Sequence, residues 1–260
     1  MLGLARSTAR YKSRRNSSDE MAEKIRELST EWIGSGYRMI YDVLREQGER
    51  VNHKRVLRLW RLQGLNRQSK RRRPRMKRTA STLAASSRAN ERWALDFLSD
   101  RLENGQPYRM LAVIDVLTRE CVALLASRSM TAWRVVKTLD ALALIRGVPN
   151  MITLDNGPEL ISEALKHWAL TNGVTLRYSR PGTPTDNPFI ESFNSRLRAE
   201  CADLWWTESI PDVNLLLSAW RERYNMKRPH RSIGRIPPSK FAKAAPWIEY
   251  KAPVPMGEPA

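Results

Sequence analysis

Cysteine and histidine are scarce, with two and three in 260 residues. Cys121 and Cys201 are isolated in the sequence, which argues against a disulfide scaffold and against a metal knuckle. His53, His167 and His230 are too few and too scattered for a His/Cys zinc module. No apolar run approaches the ~18 residues that a membrane helix needs, and no charged-then-apolar leader with a cleavage site is visible. A soluble, cytoplasmic protein without a membrane partner is therefore expected. Acid is scarce in one region only: residues 1–90 carry 8 Asp/Glu against 23 Lys/Arg, whereas residues 91–260 carry 19 against 22.

That asymmetry accounts for most of the net charge of +18. A basic segment in front of a nearly balanced region suggests nucleic-acid binding joined to a separate working domain. The density of "SKRRRPRMKR", residues 69–78, makes a merely solubilising basic tail the weaker reading. Hydrophobic content of 42% is ordinary for a globular chain, and the length allows one medium domain plus a smaller one.

Within the basic third, Met21, Ile25, Leu28 and Trp32 recur at helical spacing. A second helix is expected around 38–47 with Ile40, Val43 and Leu44 inward. A turn at Gly48 leads to Asn52, an N-cap for a third helix ending near Gly64. Val56, Leu59 and Trp60 share one side of that third helix, while Lys54, Arg58 and Arg61 lie opposite. This pattern suits a small helix-turn-helix bundle that offers Lys54, Arg55, Arg58 and Arg61 to DNA. Residues 66–90 lack periodicity and read as an extended basic linker whose Arg71, Arg72 and Arg73 can track phosphates.

From residue 91 the pattern changes. "RWALDFL" reads as a short strand, and "YRMLAVIDVLTR" with "ECVALLAS" as an antiparallel pair at the centre of a sheet. "TAWRVVKTLDALALIRG" is helical, "MITLD" a buried strand, "SEALKHWALTNG" a helix and "VTLRYS" a strand. A helix opens at "DNPFIESFNSRLRAEC", capped by the Asn187 side chain, with Pro188 in its first turn and Ile190, Phe193 and Leu197 facing a core. A last helix, about 210–226, stacks Val213, Leu217, Trp220 and Tyr224, and a loose Pro-rich tail follows from 245. The order predicts an α/β fold: a mixed sheet flanked by helices, preceded by a small all-α domain.

Three acids stand where a strand or helix can hold them: Asp96, Asp155 and Glu191. Asp155 and Glu191 have 35 residues between them, room for a helix, a strand and a loop that return the chain to the same end of the sheet. Converging carboxylates repel, and a divalent cation such as Mg2+ removes that cost. Two such ions clamp the oxygens of an in-line phosphoryl transfer. Asp115 and Glu159 occupy similar places; Asp115 is expected to be structural and paired with Arg119, and Glu159 to sit in a turn or at a helix start.

Together, "RWALDFL", "LAVIDVLTRECVA", "ITLDNGPEL", "RPGTPTDNPFIESFNSRLRAEC" and "YNMKRPHRSIGRIPPSKF" resemble the transposases of the insertion-sequence-3 family, of the downstream-frame (OrfB) type. These belong to the DDE, or retroviral-integrase, superfamily, and the resemblance runs from about 30 to 242. It implies an RNase H-like integrase core and a D-D-(35)-E triad mapping onto Asp96, Asp155 and Glu191 as catalytic and metal-binding residues. It also implies two Mg2+ ions, for which Mn2+ substitutes. The implied reaction is strand cleavage at the ends of an insertion sequence, followed by attack of the freed 3′-OH on another phosphodiester. Implied partners are double-stranded DNA, as terminal inverted repeats and as target, together with further copies of the chain on the DNA of the bacterial nucleoid. The opening "MLGLARSTARYKSR" resembles the last helix of a helix-turn-helix, which points to an upstream-frame (OrfA-type) partner or fusion.

The expected organisation is a helix-turn-helix region at 1–65, a basic linker at 66–90, an integrase-type core at 91–242 and a tail at 243–260. Asn194, Ser195 and Arg198 share a helix face with Glu191, and Asn194 and Arg198 are candidate contacts to DNA near the site. Lys227, Arg228, His230 and Arg231 form a second basic patch for target or flanking DNA, with His230 alternatively a structural loop residue. The main competing reading is a catalytically incompetent DNA-binding regulator derived from a transposase. An RNase H-like nuclease shares the chemistry but does not call for the basic N-terminal region.

Overall fold

The computed structural model describes residues 20–66, 86–155, 157, 160–179 and 187–254. The chain divides into two compact units, Met1–Ser69 and Lys70–Ala260.

In the first unit, α1 (Glu20–Glu31), α2 (Tyr37–Glu46) and α3 (His53–Leu62) enclose one apolar core. Ile25, Ile40, Leu44 and Val56 are fully buried there, beside Leu28, Trp32, Val43, Leu59 and Trp60. Gly48 turns the chain between α2 and α3 at a φ of 88°, a left-handed conformation that costs glycine little. The Asn52 side chain accepts the Lys54 N–H at 2.9 Å and starts α3, as expected. Gln63 Nε2 donates to the Ala22 carbonyl and ties the end of α3 to the start of α1.

The second unit is a five-stranded mixed sheet with helices on both faces. Its elements are β1 (Arg92–Arg101), β2 (Pro107–Asp115), β3 (Cys121–Ser127), α4 (Ala132–Arg146), β4 (Met151–Leu154), α5 (Glu163–Asn172), β5 (Thr175–Tyr178), α6 (Pro188–Glu200), α7 (Ile210–Met226) and α8 (Pro238–Ala244). The strand order is β3-β2-β1-β4-β5. β1 is therefore central, antiparallel to β2 and parallel to β4, and it runs for ten residues rather than being short. The antiparallel pair β2 and β3 forms one side of the sheet, not its centre. The sequence shows two adjacent apolar strands but not which third strand joins them.

Strand alternation sorts the core into two layers. Trp93, Leu95, Leu111 and Val113 face α4 and α5, where Val135, Leu139, Leu165 and Trp168 are buried. Ala94, Leu98, Met110 and Ala112 face α6 and α7, where Ile190, Phe193, Leu197, Val213, Leu217, Trp220 and Tyr224 are buried. Asp96 shares the parity of Ala94 and Leu98 and so projects to the α6 side. The helices obey their end signals: Thr131 and Ser162 cap α4 and α5 by side-chain bonds, and Gly147 and Gly173 end them. Asn187 precedes α6 but makes no side-chain capping bond, so the start of α6 rests on Pro188 and on its buried stripe.

Several contacts depart from expectation. Asp115 is fully buried and accepts the N–H groups of Asn90, Leu117 and Thr118 at 2.6–2.9 Å. Its ion pair is with Arg146, at 3.8 Å, and not with Arg119, whose guanidinium lies 3.9 Å from the centre of the Phe189 ring. Residues 246–254 are tied down rather than loose. Ala89 and Ile248 exchange backbone bonds with Pro246 and Ala89, Val148 donates to Lys251, and the buried Asn172 side chain accepts from Val254. Glu159 lies outside the described residues.

The outer edge of β3 is closed by side chains of α7. Asn214 accepts from Ala126 N–H and donates to its carbonyl, and Asn225 does the same at Cys121. Arg221 donates to the Val122 carbonyl between them. Replacing Asn214 or Asn225 by Ala strands buried backbone groups. Each change is expected to cost about 1–3 kcal/mol, measured as a lower urea midpoint with an unchanged m-value.

Candidate active site

The register of β1 with β4 pairs Arg92 with Met151, Trp93 with Ile152 and Ala94 with Thr153. Continued past Leu154, it sets Asp155 beside Asp96 on the same face of the sheet. On that face α6 carries Glu191 in its first turn, one residue after the fully buried Ile190. Asp96 Oδ1 accepts the Phe97 N–H at 2.8 Å, and Oδ2 accepts from Asn194 Nδ2 at 2.7 Å. Asp155 accepts the Gly157 N–H at 3.0 Å, which holds its carboxylate at the strand exit.

The other two acids are near enough to act on the charge of Asp96. Burial pushes its pKa up to about 6; the neighbouring carboxylates of Asp155 and Glu191 push the same way, and the Phe97 N–H opposes them. The donor set is all oxygen, the type that a hard divalent cation takes, and a cation there would relieve the charge that burial and crowding penalise. The residues present thus fit such an ion chemically. Among the described residues, however, no three His, Cys, Asp or Glu side chains stand in the arrangement of a formed metal site.

The proposed DNA contacts fare differently. Asn194 turns its amide to Asp96, and its Oδ1 is buried without a hydrogen-bond partner. Its place three residues after Glu191 is the sequence signal that it belongs beside the carboxylates. Arg198 is engaged within the protein, donating to the Ser99 carbonyl at 2.9 Å and lying 3.4 Å from Asp203 and 4.0 Å from Asp100. Arg228 does not face solvent: it is buried, and its guanidinium forks onto Glu200 at 2.5 and 3.2 Å. A phosphate cannot reach it without breaking a buried ion pair. Lys227 and Arg231, on either side, are exposed. Lys54, Arg58 and Arg61 share one groove on α3, and Arg55 is exposed on the same helix. Arg71, Arg72 and Arg73 lie outside the described residues.

His230 belongs to the interior rather than to a basic patch. It is 5% exposed, meets the Tyr224 ring edge-on at 4.9 Å, and its backbone N–H donates to Ile236. Burial, reinforced by Arg228, Arg196 and Arg119, pushes its pKa down to about 2.

Comparison with known proteins places these features. The integrase core domain family matches residues 86–184, a second integrase core domain family matches 172–238, and an HTH-like domain family matches 17–75. A 31.7 kDa protein of insertion element IS407 from Burkholderia multivorans is 36% identical over 243 residues, covering 93% of this chain and 88% of that protein. An insertion element IS476 protein from Xanthomonas euvesicatoria is 37% identical over 222 residues, covering 85% of this chain and 64% of its own length. The putative transposase InsK of IS150 from Escherichia coli K12 is 25% identical over 235 residues, covering 85% of this chain and 82% of that protein. Among solved structures, a chain of the simian T-cell lymphotropic virus intasome in complex with the PP2A regulatory subunit B56 gamma superposes with a TM-score of 0.54. That match has 14% identity over 91% of this chain and 79% of that one, a likeness of fold.

The His230 shift fixes the sign of a pH effect. Its folded pKa lies below the ordinary 6.5, so the unfolded chain binds a proton that the folded chain refuses. Stability from this residue is present above pH 6.5 and is lost as pH falls toward about 2. Substituting His230→Gln is expected to flatten the acid fall in urea midpoint between pH 7 and 5, by up to roughly 1.4 kcal/mol per pH unit.

Proposed function

Because the chain belongs to the insertion-sequence-3 family of transposases, within the retroviral-integrase superfamily, we propose that it cuts and joins DNA at the ends of an insertion sequence. The observation that carries this reading is the β1–β4 register, which sets Asp155 beside the half-buried Asp96 on the face where α6 carries Glu191. Asp96, Asp155 and Glu191 would hold Mg2+, or Mn2+ in its place, as a pair of ions. When bound, such ions make water or a 3′-hydroxyl nucleophilic and offset the charge of the phosphate under attack.

The protein's own part is to keep three carboxylates within reach of one phosphodiester. The Phe97 N–H fixes one oxygen of Asp96 and the Asn194 amide orients the other, so this carboxylate is aimed before any ligand arrives. The buried stripe Ile190, Phe193 and Leu197 holds α6 against the sheet and with it Glu191. The first unit, with Lys54, Arg55, Arg58 and Arg61 on α3, supplies attachment to double-stranded DNA, both inverted-repeat ends and target. Lys227 and Arg231 are second-place contacts on the core. Multimers on paired ends, and a partner or fusion from the upstream frame, complete the proposed machine, which works on the bacterial nucleoid.

The test uses the full chain with duplexes carrying both ends of the element that encodes it, in Mg2+ and then in Mn2+. Strand release and joining are expected, falling to background in Asp96→Asn, Asp155→Asn and Glu191→Gln. Full activity in any one of these variants removes that residue from the site. A chain that binds the ends and never releases a strand in Mn2+ is a regulator, not an enzyme. Asn194→Ala is expected to lower turnover about 10- to 100-fold, as loss of a ligand's supporting partner does, with DNA affinity unchanged in a gel-shift titration.

A further inference from the structure

Helix α3 contains more leucine than its core uses. Val56, Leu59 and Trp60 fill the interior of the three-helix unit, whereas Leu57 and Leu62 lie outside that cluster. Leu57 is half-buried and Leu62 is 75% exposed. Both line a shallow groove of about 280 Å3 whose other walls are Lys54, Arg58 and Arg61. The five fall at i, i+3, i+4, i+7 and i+8, one face of a helix and the face opposite the core. In the same helix Arg58 Nε is shielded from solvent and has no hydrogen-bond partner. The helix "HKRVLRLWRL" contains no acid.

We infer that Leu57 and Leu62 read thymine methyl groups in the major groove, as specificity-determining residues of the DNA site that α3 binds. This rests on the first unit being a DNA-binding unit. The major groove admits an α-helix, and thymine alone among the four bases presents a methyl group there. Guanine N7 and O6 are the matching acceptors for an arginine such as Arg58. A face on which cations and leucines interleave therefore suits a run of mixed base pairs, the cations meeting phosphates or guanine and the leucines meeting thymine. An apolar protein surface would cover the leucines only by stripping water from three cations without pairing them. A single exposed leucine needs no explanation; two sharing one cationic groove do.

The experiment selects preferred sites from a random 20-base-pair duplex library with the full chain, then replaces each thymine of the selected site by deoxyuridine, which lacks only the methyl group. The wild-type chain is expected to lose roughly fourfold in affinity for each contacted methyl removed. Leu57→Asn and Leu62→Asn are expected to ignore the substitution at their own positions, while the salt dependence of binding to unselected DNA stays as in the wild type because every cation remains. Arg58→Ala, by contrast, lowers affinity for all sequences and reduces the salt slope by about 1. Selected sites without thymine, or wild-type binding indifferent to deoxyuridine, overturn the inference while leaving the DNA-binding reading in place. Leucine variants that keep the wild-type sensitivity, or that change the oligomeric state in light scattering and not the selected sequence, overturn it equally. A wild-type chain that binds no duplex overturns both.

Discussion

Three backbone pairs between β1 and β4 decide where the acidic site stands. Arg92 with Met151, Trp93 with Ile152 and Ala94 with Thr153 lock the strands in parallel, and the next residue of that parity on each is an aspartate. A one-residue slip would turn Asp155 to the opposite face, toward the apolar layer under α4 and α5. Register is protected because Trp93, Ile152 and Leu154 are all fully buried on that opposite face. The carboxylates are held in place by hydrophobic packing on the far side of the sheet.

That arrangement has an electrostatic cost which the surroundings only partly offset. Asp96 is driven toward its neutral form by burial first and by its two acidic neighbours next. The Phe97 N–H counts for more than the charge of either neighbouring carboxylate, but it does not outweigh burial. The rest of the core handles charge differently: Asp115 collects three backbone donors, and Glu200 has the full fork of Arg228. At the candidate site Asp155 and Glu191 act on Asp96 from the same face of the sheet, and a ligand of positive charge would offset that repulsion.

Much of this was legible in the sequence, because helix ends and helix faces are local properties. Asn52 and Gly147 act at their own positions, although Asn187 makes no capping bond, and Ile190, Phe193 and Leu197 need only the helical period. The positions of Asp96, Asp155 and Glu191 on their elements were legible for the same reason. What escaped is non-local. Strand order depends on pairings between distant segments, so β1 read as short, and β2 with β3 as the centre of the sheet, although β1 is the central strand. Composition marked Arg228 as part of a basic patch, but a residue on another helix, Glu200, draws it inside. Proline content made residues 246–254 look unstructured, although prolines still accept hydrogen bonds: the Pro246 carbonyl takes the Ala89 N–H. Asn194 follows Glu191 by three residues and so shares its face, but the turn of its amide to Asp96 was not legible, since spacing shows direction and not contact.

The amides of Asn214 and Asn225 reach β3 three helical turns apart and present to it the donor and acceptor that another strand would offer. Much of that edge is thereby already engaged: at Cys121, Val122 and Ala126 a neighbouring copy or an unfolded segment finds backbone groups that are taken. For a protein proposed to gather as several copies on DNA, this matters. Crowding copies together does not also invite them to fuse edge to edge, and contacts between copies are left to side chains and helices, which can form and part again.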